Sequence, residues 1–110
     1  MIALDRRSHI LTAVNVGDSG YCLIREGRIV HISEPQRISN ECPKQLDSYP
    51  WKEESRKMGV SYTEILGSDT MCDSIDVLKD DIIIISSDGL YDNMDYEEIE
   101  EICYKVIYIF

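Results

Sequence analysis

Ile82, Ile83, Ile84 and Ile85 place four β-branched side chains in succession. Such side chains are stiff at χ1 and pack well on a pleated sheet. Successive residues of a strand point to opposite faces, so a run with no polar face predicts a strand covered on both sides. The chain must therefore build layers. Ile10 to Val16 makes the same demand, with Ile10, Thr12, Val14 and Val16 on one face and Leu11, Ala13 and Asn15 on the other. At 110 residues there is room for one small domain. A domain of that size buries roughly two-thirds of the surface its unfolded chain exposes.

The rest of the chain organises around these two runs. Strands are predicted at about 10–16, 21–24, 28–32 and 82–87. Glu26-Gly27 reverses the chain between the second and third, with Gly27 free to take positive φ. The first three read as a β-meander. Residues 33–68 hold all three prolines, Pro35, Pro43 and Pro50, and read as one long loop with a short helical turn around Trp51 to Met58. Loops of that length seldom occur in compact domains without a use. Asp80-Asp81 turns the chain into the isoleucine strand, and Ser86-Ser87-Asp88-Gly89 ends it. Asp95 and Glu98 have the spacing of a capping box, and Ile99, Ile102, Cys103, Val106 and Phe110 follow at helical spacing. A helix is therefore expected from about Tyr96, with a tail, Val106 to Phe110, that suits helix or strand.

Charge and cysteine usage narrow the function. The net charge is −10, from 21 acidic and 11 basic residues. Nucleic acid needs a basic footprint and is excluded as a partner. The acidity suits solubility or a cation. No apolar run is long enough for a membrane span, so no membrane partner is expected. Cys22, Cys42, Cys72 and Cys103 form no C-x-x-C pair, and the two histidines complete no zinc pattern. Reduced, mostly buried thiols in an intracellular protein are expected.

Gly17-Asp18-Ser19-Gly20 carries the nucleophile signature of trypsin-like proteases. That chemistry needs a base hydrogen-bonded to the serine. His9 lies ten residues upstream along one extended strand, about 33 Å away at ~3.3 Å per residue. His31 shows no partner in the sequence. Ser19 is not expected to be a nucleophile.

Asp18 then becomes the residue of interest. "TAVNVGDSG" and "IIIISSDG" are two apolar strands that each end in an aspartate beside a glycine. If those strands are neighbours, Asp18 and Asp88 share one sheet edge. Two carboxylates ~4 Å apart repel by about 4 kcal/mol at an effective dielectric of 20. A hard divalent cation with oxygen ligands would relieve that repulsion. Alternatively, each aspartate caps its own turn by accepting from nearby backbone N–H groups.

"ILTAVNVGDSGYCLIREGRIVHISEPQ" followed by "DVLKDDIIIISSDGLYDNM" resembles the metal-dependent serine/threonine phosphatases of type 2C. The first block matches that family's strand ending in Gly-Asp-Ser with the hairpin after it. The second matches its hydrophobic run, S-D-G, aromatic, D. Gly20, where many members carry Arg, Asp92-Asn93, and "ECPKQL" from Glu41 to Leu46 are similar to a branch with mitochondrial and plastid-type members. The resemblance implies an α/β (α+β) fold, part of a two-sheet antiparallel β-sandwich flanked by helices. It implies hydrolysis of phosphoserine or phosphothreonine in a phosphorylated protein substrate by water activated on Mn2+ or Mg2+. By the same resemblance Asp88 and Asp18 are metal ligands, and Gly17, Gly89 and Asp92 shape the site. An upstream D-G-x-G-G segment and a late Asp-Asn strand have no match here. The chain is thus expected to be roughly the C-terminal half of a domain: a fragment, a truncated gene product or a degenerate member. The second functional class is a catalytically inactive, phosphatase-like interaction module. Open strand edges imply self-association, and the expected location is intracellular, cytoplasmic or mitochondrial.

Overall fold

The computed structural model describes residues 1–39, 42–44, 49–59 and 70–109. The strands are β1 (Ile2–Asp5), β2 (Ile10–Asn15), β3 (Gly20–Arg25), β4 (Arg28–Ile32), β5 (Arg37–Ser39), β6 (Cys42–Pro43), β7 (Met71–Asp76) and β8 (Ile82–Ser86). The helices are α1 (Tyr49–Met58), α2 (Asp88–Tyr91) and α3 (Tyr96–Ile109). One antiparallel sheet has the order β1-β2-β7 and the other β4-β3-β8, with β5 and β6 paired separately. This is the expected mixed fold of two antiparallel sheets with helices.

The expected meander is not formed. β3 and β4 make the hairpin, with Glu26 at φ 51° and Gly27 at φ 76° in its turn. β2, however, pairs with β1 and β7 in the other sheet. The chain crosses between sheets at residues 16–19, where Gly17 takes φ 103°. Asn15 Nδ2 closes this crossing by donating to Ser19 O at 2.6 Å. A strand's alternation shows that it is buried, but not which sheet it joins. The helical turn expected around Trp51 to Met58 is present as α1, and the 33–68 stretch differs from the expected loop at β5 and β6.

β3 is the organising strand. Tyr21, Cys22, Leu23 and Ile24 are all buried, and their alternation serves two cores. Tyr21 packs with Leu11 and Ala13 of β2, and with Ile75 and Ile83, between the sheets. Cys22 and Ile24 pack on the opposite face with Ile99 and Cys103 of α3. The layers are therefore sheet, sheet, helix. Each fully buried aliphatic side chain contributes about 1.5–3 kcal/mol.

The double-sided burial expected of 82–85 holds only in part. Ile82 and Ile84 pack toward α3 and Ile83 toward the first sheet. Ile85 is 67% exposed. β8 is the outer strand of its sheet among the described residues, and the cover over Ile83 does not extend to Ile85.

α3 begins at a reciprocal capping box. Asp95 N donates to Glu98 Oε2 at 3.0 Å and Glu98 N donates to Asp95 Oδ1 at 2.8 Å, satisfying two donors at the helix start. The helix continues through Ile109, so the tail is helical as far as that residue. Phe110 lies outside the described residues. Glu100 ties α3 to β4 by accepting from Ile29 N at 2.7 Å and from Arg28 Nη1 at 3.2 Å.

Candidate functional site

β3 and β8 run antiparallel, with Gly20 opposite Ser86. Asp18 lies two residues before Gly20, and Asp88 two residues after Ser86. The hydrogen-bonded ladder thus delivers both aspartates to one end of the second sheet. The strands that precede them, β2 and β8, are not neighbours. The strand that follows Asp18 is the one that pairs with β8.

At this end lies a pocket of about 200 Å³. Asp18, Asp88 and Asp92 line it, together with Ser19, Gly20, Ser33, Pro35, Arg37, Tyr91 and Tyr96. Asp88 opens α2, whose N-cap is Ser87, with Gly89 N donating to Ser87 Oγ at 3.3 Å. A Cβ on Gly89 would stand 3.3 Å from that hydroxyl, so the missing side chain keeps the cap uncrowded. Asp92 closes α2, its N–H donating to Asp88 O at 2.7 Å. Gly17 takes φ 103°, and a Cβ there would stand 2.9 Å from Lys44 O. The glycine lets the backbone after β6 lie against the turn that carries Asp18.

The charge balance of the pocket includes a residue absent from the sequence expectations. Arg37 Nη2 stands 3.3 Å from Asp18 Oδ2, and the Asp18 side chain is only 15% exposed. Arg37 opens β5, inside the stretch read as loop. The available signal was its single positive charge two residues after Pro35. Ser33 and Tyr91 were missed as well. Ser33 Oγ accepts from Tyr21 N at 2.8 Å. Burial, and then the neighbouring Cys22 thiol, push the Tyr91 hydroxyl well above the usual phenol range.

A hard divalent cation takes several oxygen ligands. Asp88 and Asp92 fit that chemistry as carboxylates lining the pocket. Asp18 adds a third carboxylate to the lining, its Oδ2 3.3 Å from Arg37 Nη2. Among the described residues, no group of three or more histidine, cysteine, aspartate or glutamate side chains is placed to hold a metal. The described residues supply part of a donor set and do not form a metal centre by themselves.

Ser19 is exposed, and its carbonyl, held by Asn15, is part of the crossing turn. His9 precedes β2, at the opposite end of that strand from Ser19. His31 has partners that the sequence did not reveal: its Nε2 lies 3.0 Å from Tyr21 Oη and 3.6 Å from Asp73 Oδ2. Tyr21 Oη also donates to Asp73 Oδ2 at 3.1 Å. This cluster joins β3 and β4 to β7 across the two sheets. Neither histidine is placed to serve Ser19.

No protein-family model matches the chain. A zebrafish (Danio rerio) protein, "Protein phosphatase PTC7 homolog", is 38% identical over 103 residues, covering 93% of this chain and 33% of that protein. Its human counterpart is also 38% identical, over 93% of this chain and 32% of its own length. The chain is a partial relative of the type 2C protein phosphatases. "Probable protein phosphatase 2C 26" of Arabidopsis thaliana is 35% identical over 96% of this chain and 31% of its own length. The solved structure of the photosystem II phosphatase PBCP superposes with a TM-score of 0.76 at 25% identity, over 93% of this chain and 35% of that one. The chain thus spans about a third of the length of the relatives it matches. The type 2C likeness covers both strand-terminal aspartates and the sheets that carry them. No helix among the described residues is long and apolar enough to cross a membrane.

Proposed function

We propose that this chain is part of a protein serine/threonine phosphatase and carries one wall of its active site. The observation that supports this reading is the convergence of Asp18 and Asp88 on one pocket through the Gly20–Ser86 register. The two motifs that resemble type 2C phosphatases are the two that meet there. In this reading Asp88 is a metal-binding carboxylate and Asp92 a second oxygen donor at the pocket wall. Gly17 and Gly89 let the backbone take the turns that present the aspartates. A bound Mn2+ or Mg2+ would acidify a water and offset phosphoryl charge. The remaining donors would come from the part of the relatives that this chain does not span. The substrate class is a phosphoserine or phosphothreonine in a protein, and the location intracellular, in cytoplasm or mitochondrion.

A second reading, a catalytically inactive interaction module that pairs through its strand edges, is favoured by the exposed Ile85 on β8, the outer strand of its sheet among the described residues. A chimaera separates the two. This chain replaces the matched third of the zebrafish relative, and hydrolysis of a phosphothreonine peptide is measured with Mn2+. Activity that disappears with Asp88→Asn is expected. A folded, monomeric chimaera with no activity, or activity indifferent to Asp88→Asn, would refute the phosphatase reading.

A further inference from the structure

Two turns meet at the end of the first sheet that lies away from Asp18. The β1–β2 turn and the stretch between β7 and β8 are joined there by Val77 N, which donates to His9 O at 2.9 Å. Between them is a cleft of about 350 Å³ lined by Leu4, Arg6, His9, Val77, Leu78 and Lys79. The six residues of β2 separate it from the crossing that carries Asp18, about 20 Å at ~3.3 Å per residue. In a chain of net charge −10, this cleft is lined by an arginine, a lysine and a histidine and by no carboxylate. The nearby acids are engaged elsewhere. Asp5 accepts from Arg7 N at 2.9 Å and from Ser8 Oγ at 2.7 Å within its own turn. Asp81 accepts from Leu78 N at 2.7 Å and from Arg25 at 2.8 and 2.9 Å. Among the described residues neither Arg6 nor Lys79 forms an ion pair. Beside these cations, Leu4 and Leu78 are exposed. His9 holds φ 57°, a backbone that glycine takes at less cost, and presents an imidazole there instead.

We propose that this cleft docks an acidic segment of a partner protein, its carboxylates against Arg6, His9 and Lys79 and an aliphatic side chain against Leu4 and Leu78. The inference does not depend on the phosphatase reading, because the cleft shares no residue with the Asp18 pocket. Charge complementarity and the apolar lining together select this occupant. A nucleic acid or an anionic bilayer would also bring its charge against the acidic remainder of the chain, whereas a short segment stays within the cleft. A small anion would leave the leucines in water. A phosphoryl group is best held by converging backbone N–H groups or by clustered arginines. Here the N–H groups of Arg7, Val77 and Leu78 are already bonded, and each single cationic side chain suits one carboxylate.

The test measures binding of a fluorescein-labelled peptide containing Glu-Glu-Leu-Glu to the full chain by anisotropy. The wild-type chain should bind it, and should not bind the same peptide with Gln in place of Glu. Arg6→Glu and Lys79→Glu should each weaken binding about tenfold, because each sets like charges together. Lys105→Glu changes the net charge by the same amount on α3 and should stay within about twofold of wild type, since exposed charges beyond a Debye length are screened. Leu78→Ala should weaken binding about threefold through lost apolar contact. His9→Gly should weaken binding while the thermal melt stays at or above that of wild type, which separates loss of the imidazole from loss of the fold. Absence of binding to the wild-type chain overturns the proposal, as does equal binding of the Gln peptide. Equal loss in Lys105→Glu would reduce the effect to net charge and overturn the local cleft. Tighter binding of a phosphoserine version, or displacement of the peptide by an equal concentration of inorganic phosphate, would overturn the assignment of a carboxylate-bearing segment.

Discussion

Gly20→Ala should be costly because of one oxygen atom. A Cβ at position 20 would stand 2.5 Å from Ser33 Oγ, closer than real Cβ contacts allow. Ser33 is 8% exposed and cannot swing out freely. Its hydroxyl accepts from Tyr21 N at 2.8 Å, and its own N–H donates to Tyr21 O at 2.9 Å. Relieving the clash by rotating the hydroxyl leaves the buried Tyr21 N–H without its acceptor, a loss of about 1–3 kcal/mol. Ser33→Ala loses the same bond directly and should cost a similar amount. The double variant should cost no more than Ser33→Ala alone, because the added methyl group then meets Ser33 Cβ at 3.9 Å, an ordinary contact. The cycle should therefore be non-additive by about 1–3 kcal/mol, well outside the ~0.5 kcal/mol scatter of independent sites. Thermal unfolding followed by circular dichroism reads this as about 4–8 °C per kcal/mol for a domain of this size. Additive effects, or a Gly20→Ala variant as stable as wild type, would show that the Ser33 hydroxyl is not what requires glycine.

Three further outcomes follow from side-chain environments. Burial, then the Asp73 carboxylate, push the Tyr21 hydroxyl up to about 12; the stability this contributes is complete below pH 10 and falls as pH rises from about 10 toward 12. Alkaline difference spectra should show two late-ionising tyrosines, Tyr21 and Tyr91, of which Tyr21→Phe removes the earlier step. The Arg25 guanidinium, bonded at 2.8 and 2.9 Å, holds the Asp81 carboxyl below its ordinary value of 3.8. Its contribution is present above about pH 4 and lost as pH falls through the lowered value, so the melting difference between wild type and Asp81→Asn should shrink on acidification below pH 4. A fluorophosphonate probe should leave Ser19 unlabelled, since no histidine is placed to activate it; stoichiometric labelling would contradict the geometry of His9 and His31.

Local signals were legible where a few adjacent residues decide the outcome. Asp95 and Glu98 announce the start of α3 because the capping box closes within one turn. Glu26-Gly27 announces the β3–β4 reversal because positive φ is needed there. Asp18 and Asp88 were identifiable as strand-terminal acids. Pairing was not legible. β2 and β3 follow one another and look alike, yet long-range burial assigns them to different sheets. β7 was hidden because "MCDSID" presents only a half-apolar face, matched to β2 by tertiary packing. Arg37 escaped notice because its partner lies nineteen residues earlier, and nothing in a one-dimensional pattern links them.

The Gly20–Ser86 register ties the pocket to the interior. Suppose one residue were deleted from β8. The ladder beyond it would have to slip, and each slip of one position turns every side chain to the opposite face. Ile83 would be presented to α3, Ile84 to the first sheet, and Asp88 would shift along the strand relative to Asp18. The strand that holds the aspartates in place is the same strand that sorts isoleucines between two cores. Insertions and deletions in β3 or β8 would be selected against for two reasons at once, whereas length changes in the chain between β6 and β7 leave the β3–β8 register as it is. Length variation among descendants of this sequence should therefore collect in that region and be absent from the two central strands.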